Sequence, residues 1–74
     1  MKRLQLTAVI GREGDGYVSL CPEIDVASQG RTIEDARANL REAVELFFEC
    51  ASNAEVQERL PVEISIEPLE VTVE

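Results

Sequence analysis

Leu4, Leu6, Ala8 and Ile10 alternate with Arg3, Gln5, Thr7 and Val9. That period of two predicts a strand with one buried face. Gly11 to Gly16 then supplies three glycines and an aspartate, a turn composition. Strand character resumes from Tyr17 to Cys21, so the two pieces predict an antiparallel hairpin with a loop of about five residues. Pro22 ends the second strand or places it at an edge, because it has no N–H to donate. Ile24 to Gln29 alternates again as a third strand, ended by Gly30-Arg31.

A helix is predicted from Ile33 to about Ala51. Thr32 is a good N-cap, and Glu34 and Asp35 fall in the first turn, where the helix dipole favours carboxylates. With Asp35 at the third position the segment approaches a capping box. Ile33, Ala36, Leu40, Ala43, Val44, Phe47 and Ala51 form one stripe at three- and four-residue spacing. Phe47 is expected to plug the core against the sheet. Leu46 projects off the stripe and Phe48 lies at its margin.

Ser52 to Glu58 is weakly patterned and reads as a helical extension or a loop. Val62, Ile64 and Ile66 alternate with polar residues as a fourth strand. After Pro68 the apolar set moves to odd positions, Leu69, Val71 and Val73. One uniform strand cannot change phase, so the segment is either bulged at Pro68 or a separate strand free to pair elsewhere. The expected class is α+β, a single domain over 1–74 in the order β-β-β-α-β, with one or two strands after the helix.

Seventy-four residues bury only about 60% of the surface that the unfolded chain exposes. So thin a core calls for a disulfide, a metal or self-association. Cys21 and Cys50 are far apart and in no CxxC arrangement. They read as two buried or half-buried thiols of a reducing cytoplasm, with a disulfide or a reactive thiol as the alternative. Two cysteines without a histidine do not make a usual zinc site. No apolar run reaches membrane-spanning length. Self-association is what remains, a homodimer or homotetramer using Leu46, Phe48, Leu69, Val71 and Val73.

Fifteen acidic residues against seven basic ones give a net charge of −8. Such a chain is repelled from phosphate backbones, which disfavours nucleic acid. The excess serves solubility or attracts a basic protein. Catalytic chemistry finds little support. There is no histidine to serve a nucleophile. The carboxylates Asp15, Glu23, Asp25 and Asp35 all have ready explanations as turn or cap residues. Gly11, Gly14 and Gly16 join two strands instead of opening a helix and lack a phosphate-binding lysine. No cofactor is expected.

Gly16-Tyr17-Val18, Cys21-Pro22-Glu23-Ile24, Ser28-Gln29-Gly30, Thr32, Glu34, Ala36, Asn39-Leu40, Glu42-Ala43 and Phe47 together resemble the HicB family of type II antitoxins. The resemblance covers roughly residues 4 to 66, and its most specific part is SQG-x-T-x-x-x-A-x-x-N-L-x-E-A. It implies a partial ribonuclease H-like fold without the metal-binding carboxylates of that enzyme. It also implies a partner, a small basic RNA-cleaving toxin of the HicA type that the protein binds and neutralises. Two departures stand out. Ile24-Asp25-Val26-Ala27 replaces the Leu-Pro-Gly-Cys-like turn of many members. No DNA-binding domain follows Glu74, so protein binding without DNA binding is expected. Glu23 and Asp25 on the loop, with Glu42, Glu45 and Glu49 on the helix, are the candidate acidic contacts. A self-associating scaffold without a toxin is the alternative.

Overall fold

The computed structural model describes residues 4–60 and 64–74, and for Arg59 the backbone alone. Three strands, β1 (Val9–Glu13), β2 (Gly16–Cys21) and β3 (Val26–Gly30), form an antiparallel sheet in the order β1-β2-β3. Two helices follow, α1 (Ile33–Cys50) and α2 (Asn53–Arg59). The α+β class and the three-strands-then-helix order are as expected.

The hairpin differs from its sequence reading in a specific way. Glu13 pairs with Gly16, so only Gly14 and Asp15 form the turn. Gly14 has φ 59°, the left-handed conformation that a two-residue hairpin asks of its first central residue. Gly11 and Gly16 are strand residues, not loop. The first strand therefore starts at Val9, later than Leu4. Its partner β2 ends at Cys21, and Pro22 has no N–H to extend the ladder towards Leu4.

Between β2 and β3 the chain turns through residues 22–25, where Asp25 takes φ 54°. Aspartate is among the few side chains that tolerate this region. The third strand accordingly runs Val26–Gly30, and Ile24 leaves it to become a core residue, 1% exposed.

α1 keeps its sequence-predicted limits, with Ala51 as C-cap. The Thr32 hydroxyl accepts the Asp35 N–H at 3.0 Å, as expected of the cap. The helix seats against the sheet at Gly30. A Cβ there would stand 2.4 Å from the Ala36 nitrogen and 2.7 Å from the Asp35 carbonyl carbon. Ala36 is fully buried at this contact. Beside it the buried Ser19 donates its hydroxyl to the Ala36 carbonyl at 2.9 Å. Asn39 donates from Nδ2 to the Gln29 carbonyl at 2.7 Å. One turn along, Leu40 joins Cys21 and Ile24 in the core, with Leu6, Val26, Val44, Phe47, Phe48 and Leu60 packed around them. Burying one leucine of this kind contributes about 2 kcal/mol.

One position on the expected stripe, and one at its margin, need correction. Ile33 is exposed, because the stripe meets the sheet only from Ala36 onward. Phe48 lies half-buried against the core and meets Phe47 edge to face, ring centroids 5.2 Å apart. The segment after α1 is neither an extension nor a loop. Ser52 caps α2 by accepting the Glu55 N–H at 3.1 Å, which starts a new helix. Of the expected fourth strand, Val62 lies outside the described residues. Ile64 and Ile66 carry no strand, and neither do Leu69, Val71 and Val73. No further strand pairs with the sheet among the described residues.

The seat at Gly30 makes a sharp expectation. Gly30→Ala must push the first turn of α1 off β3, because the atoms in its way are backbone. Overpacking of this kind costs about 3 kcal/mol, a large part of the roughly 5 kcal/mol that holds a domain of this size. Gly11→Ala, with nothing within 4 Å of the new methyl, should change stability little. Urea denaturation of the two variants checks the contrast.

Candidate functional site

α1 lies chiefly over β3 and β2 and barely reaches β1. The uncovered strip is an open groove between the N-terminal residues and the helix. Its floor is Leu4, Leu6, Ala8 and Ile10, and its wall is Leu40, Val44 and Phe48. The even-numbered alternation read from the sequence is thus correct about the face, although ladder pairing begins only at Val9. Arg37 and Arg41 stand on the helix side of the groove, with Glu45 and Glu49 further along.

Where β2 stops at Pro22, a side chain takes over from the ladder. Glu23 accepts the Thr7 N–H at 3.0 Å and the Thr7 hydroxyl at 2.6 Å. The Cys21 thiol donates to the same carboxylate at 3.5 Å. Glu23 therefore clasps the N-terminal segment, a role its sequence context does not signal. Asp25 is exposed, and its positive φ accounts for it as a turn residue. The two loop carboxylates thus have structural work, and of the pair only Asp25 has a freely exposed side chain.

The clasp sets the local titration. Burial alone would raise the Glu23 carboxyl, but the bonds from the Thr7 hydroxyl and amide, its own amide and the Cys21 thiol outweigh it and leave it lowered. Burial, followed by the hydrogen bond and the charge of Glu23, pushes the Cys21 thiol up. Cys21 is accordingly a buried, protonated donor, unlike a reactive nucleophile. Cys50 corrects the sequence expectation. It is exposed at the end of α1, and both cysteines are free thiols.

Glu42, Glu45 and Glu49 are all exposed, at three- and four-residue spacing along one side of α1. The last turn of the helix carries no basic residue. A carboxylate near the negative end of a helix dipole is mildly unfavourable, and Glu49 alone of the three stands in that last turn. Leu46, 58% exposed, lies beside it. The expected self-association residues thus divide. Leu46, Leu69, Val71 and Val73 are exposed, whereas Phe48 belongs to the groove wall. Among the described residues no group of three or more His, Cys, Asp or Glu could hold a metal ion. No helix among them is long and apolar enough to cross a membrane.

The lowered Glu23 carboxyl gives a testable pH dependence. Its contribution to stability is fully present above the usual glutamate value of 4.5 and is lost as pH falls through the lower folded value. At neutral pH, Glu23→Gln should be less stable by about 1 kcal/mol, water screening keeping the loss modest. The gap should close as pH falls below the folded value. Thermal denaturation of both proteins across the acid range checks it, and an unchanging gap would contradict the clasp.

No family model and no solved structure matches the chain. A UPF0150 protein of Synechocystis sp. (strain ATCC 27184 / PCC 6803 / Kazusa) is 45% identical over 49 residues, which span 64% of this chain and 68% of that protein. At that identity, over two thirds of the relative, the chain belongs to the UPF0150 family.

Proposed function

We propose that this protein is a HicB-like antitoxin-type protein that binds and neutralises a small basic RNA-cleaving toxin by masking its surface. The observation that supports this reading most is the exposed column Glu42, Glu45 and Glu49 on a helix whose last turn has no cation. Three carboxylates on a rigid element suit a basic partner, and the net charge of −8 steers it in from a distance. The motif string SQG-x-T-x-x-x-A-x-x-N-L-x-E-A supports the HicB likeness. In this reading the protein acts by binding, with no catalytic residue, no cofactor and no direct contact with nucleic acid. A second reading, a self-associating scaffold without a toxin, is favoured by one observation, the exposed apolar residues of 64–74.

The test is co-expression with any small basic protein found to be encoded beside this gene. The two should copurify, and growth arrest by the partner should be relieved. Replacing Glu42, Glu45 and Glu49 by lysine should slow association by about tenfold or more and flatten its salt dependence. No copurification and no rescue would refute the reading for that pair.

A further inference from the structure

The sheet has a second face, turned away from α1. Successive strand residues point to opposite sides. Ser19, Cys21 and Gly30 face the helix. The residues between them therefore face away from it, in two cross-strand rows, Val9-Leu20-Ala27 and Gly11-Val18-Gln29. An antiparallel sheet with one wet face normally carries polar side chains there. Of the strand residues on this side, only Glu13, at one end, is charged. Val9 and Val18 are nonetheless 47% and 37% exposed, and a Cβ at Gly11 would meet nothing within 4 Å. An apolar sheet face thus stands open on a chain whose net charge is −8.

We propose that this face docks the same face of a second copy of the chain, sheet against sheet about a two-fold axis, as a weak and reversible dimer. Charge favours the copy. An excess of carboxylates opposes the approach of a like chain, and that opposition is least where the surface is uncharged. A basic partner finds little to attract it here, because the Glu42, Glu45 and Glu49 column belongs to the helix on the other side of the sheet. Shape agrees. Val18 and Leu20 raise a ridge along β2, and Gly11 beside the first and Ala27 beside the second leave low places on its flanks. A ridge with a low flank is self-complementary. Under a two-fold axis each ridge settles into the flank of the other, and the contact closes at two copies. Size sets the strength. Three strands about 4.8 Å apart and five residues long span about 14 × 17 Å, which belongs to the small, transient class of interface. The contact uses none of Leu46, Phe48, Leu69, Val71 and Val73, and it leaves the acidic column free whether or not a toxin binds there.

Sedimentation of the full chain between about 10 μM and about 1 mM, the range of a weak contact, tests it. The mass should rise from one 8.2 kDa chain toward two. Over the same range the backbone amide resonances of Val9, Gly11, Val18 and Leu20 should shift, while those of Glu42 to Glu49 stay fixed. Gly11→Glu and Ala27→Glu each place a carboxylate on the face at an exposed position. Each should weaken association at least about tenfold. Gly11→Ala, which keeps that flank as low as Ala27 keeps the other, should associate as the unaltered chain does. Circular dichroism verifies that the variants fold, and the resonance shifts of the unaltered protein decide the matter if a glutamate variant does not. A chain that stays monomeric at the upper concentration, shifts confined to α1 or to residues 64–74, or folded glutamate variants that associate as before would each overturn the proposal.

Discussion

Everything else in this fold depends on the approach of α1 to β3 at Gly30. There the backbone of one element touches the backbone of the other, with no side chain between them. Such a contact tolerates only a glycine on the strand and suits a small residue on the helix, which Ala36 provides. Ser19 then completes the joint by binding the Ala36 carbonyl from β2. Two strands and the helix are thereby locked at one point, and the angle of the helix follows. Leu40, Val44 and Phe47, at successive turns, are carried over Cys21 and Ile24.

The same seat explains what is left open. A helix held close to β3 cannot also cover β1, so one strip of the sheet keeps an apolar floor without a roof. The N-terminal residues that form this floor are held by Glu23 instead of by a longer strand. The resulting molecule is closed on the side of β3 and receptive on the side of β1. Two residues of its acidic column, Glu45 and Glu49, border that strip on the same helix, and Glu42 is exposed beside them. A rigid seat thus displays an apolar strip with charged side chains of the helix along its rim.

The helix was fully legible in the sequence because a cap, first-turn carboxylates and a long periodic stripe agree. Its burial was less so. Ile33 fits the stripe by spacing, yet the sheet ends before it, and spacing says nothing of where a partner element stops. The three glycines of 11–16 suggested a loop because composition does not distinguish the reasons for a glycine. Gly14 is there for its φ, and Gly16 because a Cβ would stand 2.9 Å from the Gly30 carbonyl oxygen. The clasp by Glu23 was hidden because its partner, Thr7, is sixteen residues away. Ser52, a good N-cap, was the available signal for α2. Alternation in the tail was read as a strand, but alternation describes a face, and a strand also requires a neighbour.

The central claim is that the Gly30–Ala36 seat, and not the longer apolar half of α1, organises the domain. Hydrogen exchange resolved by residue tests it most directly. The account predicts that amides of Ala36 to Leu40, with those at the centre of β2, exchange slowest and only through global opening. Slowest exchange at Glu45 to Cys50, with Ala36 to Leu40 opening locally, would contradict it.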